Sequence, residues 1–351
     1  MNPIERAVRR VDAAQRRFTP TAFIFGVVKK YGDDNGGVLV ANLAFSAFIS
    51  LFPLLLVLVT ILGLVAASDP AIRHDVLNAV AGQFPALGQQ LTGNVHQLQR
   101  SSVVGLIVGL AGVAWGTTGL AQAGLFTMEQ VWNLPGPARP GYVQRLGRAA
   151  EFIGLLGVGV VVTTLLAGLN AYGRNAAIFV VLTEVAAAAV NAGMYVAAFR
   201  VLTPKGVPTR KLLPGAVVGG IAWTVLQVLG TYLVQHFVHS GSAYSIFATV
   251  LGLVAWINLV AQVTVYAAEV NVVLARRLWP RSIVQPPLTE ADRASMALQA
   301  LQNQRREEQR VEVSFDDRKR EASAPGSTPR TPDEIAPPAR VEIPGQRGAP
   351  E

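Results

Sequence analysis

Between Val38 and Leu274 the sequence passes through six long apolar stretches, at about 38–67, 102–127, 149–169, 176–202, 212–237 and 245–274. Each reaches or exceeds the ~20 apolar residues that a helix needs to cross a bilayer. Within lipid a backbone has no water to bond, so a spanning segment must satisfy its own N–H and C=O groups, which a helix does. The balance of the chain agrees. Hydrophobic residues make up 51% and charged residues 15%, against the roughly 25% charge of an ordinary soluble domain. The expected fold is all-α and polytopic, with six transmembrane helices and amphipathic helices at both membrane surfaces. The first stretch is longer than a span requires and carries Pro53 near its middle. A kinked or tilted single helix is expected there rather than two spans.

The net charge of +8 admits two readings, nucleic-acid binding or membrane orientation, and the placement of the charges separates them. Seven Lys/Arg lie between Arg6 and Lys30; Arg139, Arg145 and Arg148 follow span two, Lys205, Arg210 and Lys211 follow span four, and Arg276, Arg277 and Arg281 follow span six. The alternate loops hold only Arg73, Arg100 and Arg174. With six spans every rich segment falls on one face, the cytoplasmic one by the positive-inside rule. Both termini are therefore expected inside, and no nucleic-acid partner is expected. The N-terminal residues lack the apolar run and small-residue cleavage site of a secretory signal.

Three regions follow: a basic amphipathic segment at 1–37, a six-helix domain at 38–281 and a largely disordered cytoplasmic tail at 282–351. In the first, Ile4, Val8, Val11 and Phe18 recur at helical spacing among five arginines, a pattern suited to an anionic headgroup layer. Pro20 ends that helix, and Gly32 to Gly37 reads as a turn. Residues 69–100 read as two amphipathic helices on the outer face, either a lid or an interfacial connector. A short polar helix starts at a Thr289 N-cap with Glu290 in its first turn. Beyond Arg320 the Pro- and Gly-rich composition cannot bury enough apolar surface to fold.

Polar and small residues inside the spans mark the candidate sites. Gly105, Gly109, Gly112, Gly116 and Gly119 share one stripe of span two about 60° wide by helical geometry. It serves close helix packing or forms a groove for a substrate chain. Glu184 and Asn191 share a face of span four, and Asn258, Gln262 and Glu269 share one of span six. Intramembrane carboxylates are costly and usually face the bundle interior. The two stripes form either a shared working interior or an interhelical hydrogen-bond network. For Glu269, Arg276 one or two turns further on offers neutralisation. The chain has no cysteine, and its four histidines fit no metal-binding spacing, so neither metal nor cofactor is expected. No P-loop or nucleophile elbow is present.

Several segments carry a resemblance. Asp33-Asp34 followed by Asn42-Leu43-Ala44-Phe45-Ser46-Ala47-Phe48-Ile49-Ser50-Leu51-Phe52-Pro53-Leu54 is the most specific, and Ser50-Leu51-Phe52-Pro53 is its core. With Met128-Glu129-Gln130-Val131-Trp132-Asn133, Pro214-Gly215-Ala216 and Ala268-Glu269-Val270-Asn271, it makes the chain resemble the YihY / virulence factor BrkB family, long labelled ribonuclease BN-like. The similarity covers about Thr21 to Ser282. The chain departs from the family's usual Tyr-Tyr in span one, where Phe45-Ser46 leaves no phenolic hydroxyl. The resemblance implies a bacterial inner-membrane protein of six helices, and nothing in these residues supports nuclease chemistry.

The leading expectation is transport or lipid handling without covalent catalysis, with membrane lipids as partners, a small solute or lipid as substrate, and a homo-oligomer as an open assembly state. An envelope scaffold is the second reading and a membrane-bound hydrolase or nuclease the third. A polar cavity at Glu184 favours the first, a solid bundle the second, and a cluster of carboxylates or histidines around one point the third.

Overall fold

The structure, a computed structural model, describes residues 3–68, 102–172, 177–203, 206–237, 243–285 and 287–315 of the 351-residue chain. The readings made for residues 69–100, for the loop at 238–242 and for the tail beyond 315 lie outside them. The described residues hold helices and no strand. In chain order they are α1 (Pro3–Arg17), α2 (Thr19–Asp33), α3 (Gly36–Ser68), α4 (Ser102–Val131), α5 (Tyr142–Tyr172), α6 (Ala177–Leu202), α7 (Leu213–Phe237), α8 (Ala243–Arg276) and α9 (Glu290–Gln302). Four segments are long and apolar enough to cross a membrane: Gly36–Val57, Val185–Leu202, Leu213–Gly230 and Val250–Arg276.

The chain divides into two compact units, and the cuts fall inside α4 after Met128 and inside α8 after Ala268. The larger unit holds Asn35–Met128 and Pro140–Ala268. Its helices meet through small residues. A Cβ built on Gly109 would stand 2.8 Å from Val57 Cγ2, on Gly112 2.8 Å from Pro53 Cβ, and on Gly116 2.9 Å from Ser50 Cα. These distances leave no room for a side chain, so α3 lies directly on the glycine stripe of α4. Pro53 deprives one carbonyl of its helical partner, yet α3 continues through it as one helix, and its ring packs where Gly112 has no side chain. Gly119 has open space beside it, and Gly105 lies outside the residues with described surroundings. On α7, a Cβ at Gly220 would come 2.7 Å from Ala192 backbone atoms of α6. The buried Arg148 donates to Thr203 O at 3.2 Å, placing a cation at the C-terminal end of α6 where free carbonyls collect.

The smaller unit gathers Met1–Asp34, Glu129–Arg139 and Glu269–Glu351. This unit takes residues from each of the three regions of the sequence reading, the arm, the six-helix domain and the tail. Three residues at its turns have positive φ: Asn133 (47°), Arg277 (53°) and, just past its first segment, Asn35 (54°). Asn tolerates this left-handed backbone better than other non-glycine residues. At Asn133 it ends α4, with Leu134 N–H bonded to Glu129 O at 2.9 Å. The turn expected over Gly32 to Gly37 is tighter than that, since α2 ends at Asp33 and α3 begins at Gly36.

Candidate functional site

The end of α2 reads Lys29-Lys30-Tyr31-Gly32-Asp33-Asp34. Residues four apart on a helix share a face, and neighbours diverge by about 100°. The segment therefore carries two Lys–Asp faces side by side, Lys29 with Asp33 and Lys30 with Asp34. Each recruits a different part of the smaller unit.

The first face meets the chain that follows α8. Lys29 Nζ donates to Ser282 O at 2.7 Å and to Asp292 Oδ1 at 2.9 Å. Arg281, itself buried, donates from Nε to Asp292 Oδ1 at 2.6 Å and from Nη2 to Asp33 Oδ2 at 2.7 Å. Ser295 Oγ and Gln299 Nε2 of α9 donate to Asp33 as well. Asp292 is the centre of this group. Its Oδ2 accepts from Ser282 N, Ser282 Oγ, Thr289 N and Thr289 Oγ1, and Thr289 Oγ1 accepts from Asp292 N. That reciprocal pair is a capping box at the N-terminus of α9. The Asp292 side chain has 0% exposure. Burial alone would raise its pKa, but the hydrogen bonds from Ser282, Arg281, Lys29 and Thr289 outweigh burial and hold it well below the usual carboxylate range.

The second face meets the end of α4 and the end of α8. Lys30 is fully buried; it pairs with Asp34, donates to Val131 O at 3.2 Å and stands 3.7 Å from Glu269 Oε2. Asn133 Nδ2 donates to Asp34 Oδ1 at 3.1 Å and to Gln302 Oε1 at 2.9 Å. Gln302 in turn bonds Gln130. Glu269 has 0% exposure, and neither carboxylate oxygen receives a hydrogen bond among the described residues. Two carboxylates thus share one lysine, and Glu269 is the loosely held one. The cation expected to neutralise Glu269 was Arg276, but Lys30 takes that place. Arg276 lies seven residues on, roughly 10 Å along the axis, and donates to Trp132 O at 2.7 Å while its guanidinium lies 5.9 Å from the Trp132 ring centre.

The other candidate residues lie in the larger unit. Asn191 donates toward Thr224 Oγ1 at 3.3 Å and Gln227 Oε1 at 3.5 Å of α7. Tyr195 and Thr264 hydroxyls are 3.2 Å apart and join α6 to α8. Gln262 is half-buried and Asn258 exposed. Glu184 belongs to α6, and its side chain lies outside the described residues. Sequence reasoning missed Lys30, Arg281 and Asp292 as site residues. The doubled i,i+4 Lys–Asp spacing and the Thr289-x-x-Asp292 capping signature were the available signals. Among the described residues no group of three or more His, Asp or Glu could hold a metal ion. The carboxylates that do gather, Asp33, Asp34, Glu269 and Asp292, each face a lysine or arginine.

Helices of this length and apolarity define a multi-pass membrane protein. Residues 27–289 match the model of the virulence factor BrkB family, and the chain belongs to that family. It is similar to the ribonuclease-like protein YfkH of Bacillus subtilis (strain 168), 24% identical over 73% of this chain and 96% of that protein. It is also similar to the inner membrane protein YhjD of Escherichia coli (strain K12), 26% identical over 76% of this chain and 84% of that one. No solved structure matches the chain significantly.

Proposed function

We propose that this is a six-span inner-membrane protein that moves or handles a small solute or a lipid without covalent chemistry, with the Lys30–Asp34–Glu269 trio as its working charge group. The observation that carries the reading is Glu269. A carboxylate on an apolar spanning helix is expensive, and chains that retain one generally use it. Here it is fully buried, its carboxyl oxygens have no donor within hydrogen-bonding geometry among the described residues, and it shares its cation with Asp34. A carboxyl group held this loosely can exchange partners at lower cost than one held by several donors. The arrangement suits a step in which Lys30 is transferred between carboxylates as cargo passes. In this reading α4 and α5 supply the two further spans, both termini are cytoplasmic, and membrane lipids cover exposed apolar residues such as Trp115 and Ile221. The name of YhjD supports the inner-membrane location.

The test uses purified protein in liposomes. One arm follows dithionite quenching of NBD-labelled phosphatidylglycerol, and the other follows entrapped pyranine. We expect one arm to exceed protein-free vesicles and Glu269→Gln to abolish it while the melting temperature holds. Activity unchanged in Glu269→Gln would remove the trio from the mechanism. Silence in both arms would favour the scaffold reading. The ribonuclease-like name of YfkH gives the third arm: cleavage of a labelled RNA by the purified protein would overturn the non-enzymatic reading.

A further inference from the structure

The face that α1 turns outward is unlike the rest of the smaller unit. α1 is docked by its acidic side. Asp12 is buried, accepts from Ile283 N at 2.9 Å and pairs with Arg16. Val8, Gln15 and Arg16 on the same side are half-buried. On the other side Arg6, Arg10 and Arg17 are exposed and share an arc of roughly 40°. Beside that arc run Ala7, Ala14 and Val11, also exposed, within roughly 60° of one another. Val11 is 60% exposed, Phe18 at the junction with α2 is 68% exposed and Ile24 of α2 is 61% exposed. Of the apolar positions read at helical spacing, Val8 is half-buried while Val11 and Phe18 are exposed, and the side chain of Ile4 lies outside the described residues.

We propose that this outer face of α1, with Phe18, binds the headgroup layer of an anionic phospholipid membrane. An apolar strip flanked by arginines on one edge fits that layer: the strip inserts to the headgroup–acyl boundary while the guanidiniums engage phosphate. Charge complementarity identifies the occupant. The docking of Asp12 removes its carboxylate from the exposed surface, and among the described residues no acidic side chain pairs with Arg6, Arg10 or Arg17. Arginine also holds phosphate oxygens in bidentate pairs, which makes it the residue suited to such a surface. The inference is independent of the transport reading, since it concerns only where α1 rests.

The chain has no cysteine, so Val11→Cys and Phe18→Cys each accept a single NBD label in the full-length protein. Each labelled protein is reconstituted into phosphatidylcholine vesicles, and into vesicles with phosphatidylglycerol added. In the anionic vesicles we expect a blue-shifted emission that brominated lipid quenches. Both effects should diminish at 1 M salt, where the screening length falls to about 3 Å. They should also diminish in an Arg6→Gln/Arg10→Gln/Arg17→Gln variant, whose substitutions are all exposed; its melting curve checks that it is folded. Identical emission in neutral and anionic vesicles would overturn the proposal. A shift that follows protein density instead of lipid charge would assign the face to a second copy. One produced in detergent by added RNA would assign it to nucleic acid, and either result would also overturn the proposal.

Discussion

Asp292→Asn tests whether the tail helix is held by charge. The carboxylate is buried without exposed surface and accepts from Lys29, Arg281, Ser282 and Thr289. Removing one partner of a buried ion pair typically costs about 3–5 kcal/mol, because the remaining charge is stranded. The lower end applies here. Arg281 keeps Asp33, Lys29 is 21% exposed and can turn to water, and Asn retains one acceptor oxygen. A cost of about 3 kcal/mol corresponds to roughly a hundredfold change in an equilibrium constant. Amide hydrogen exchange across 290–302, measured in detergent, should therefore accelerate by about two powers of ten if α9 opens locally. The pH dependence follows from the same group. Its folded pKa is depressed, so its contribution is complete above the ordinary carboxylate value near 4 and is lost only as pH falls through the lower folded value. After correction for intrinsic rates, protection of α9 should be equal at pH 7 and pH 5. Unchanged protection in Asp292→Asn would refute the reasoning, and loss of protection between pH 7 and 5 would assign the docking to a different group.

Other expectations concern each unit separately. Gly116→Ala puts a methyl 2.9 Å from Ser50 Cα and should cost about 1–3 kcal/mol as overpacking. Gly119→Ala has open space and should be neutral or gain up to ~1 kcal/mol of helix propensity; equal melting temperatures for the two variants would argue against the close approach of α3. Lys30→Met strands both Asp34 and Glu269 and should destabilise by about 3–5 kcal/mol, with partial recovery in Lys30→Met/Glu269→Gln, read by thermal melting. Reporter fusions at Gly93 and at the C-terminus should report outside and inside respectively, and an externally active C-terminal fusion would sink the six-span topology. Truncation after Arg320 should leave the melting temperature unchanged, whereas truncation after Pro287 removes Asp292 and should lower it.

What the sequence made legible was local. The apolar runs marked the helices of the larger unit because a span needs only length and hydropathy, both carried by consecutive residues. Thr289 was readable as an N-cap from its residue type and Glu290 beside it in the first turn, and the cap is formed. Pro53 was correctly read as lying inside one helix, not between two. The candidate trio was legible only in part. Glu269 was evident as a carboxylate at the end of a span, but its cation lies in a segment 239 residues earlier, an interval no periodicity can bridge. Arg276 was the plausible neighbour along the helix, yet the left-handed turn at Arg277 and the carbonyl of Trp132 draw that region elsewhere. Likewise Lys29 and Asp292 are separated by 263 positions. Pairing of this kind is set by tertiary register, which one sequence does not display.

The arrangement of charges at the end of α2 explains how three distant segments find one register. Buried ion pairs contribute little net stability, because desolvation offsets much of their attraction, but a mismatched buried charge is severely penalised. Lys29 and Asp33 address Asp292 and Arg281, while Lys30 and Asp34 address Glu269 and Asn133. A one-residue slip of α2 would turn it by about 100° and present each set to the wrong segment. Lys29 would then lose Asp292, and Glu269 would lose its only described cation. Two faces of the same Lys–Asp composition, a quarter turn or so apart, therefore act as separate addresses, one for the segment that follows α8 and one for the ends of α4 and α8. The first is closed by many hydrogen bonds around Asp292, whereas among the described residues Glu269 has only the 3.7 Å approach of Lys30. The two faces therefore differ in how closely their carboxylates are held, Asp292 by four side-chain donors and Glu269 by one lysine at 3.7 Å.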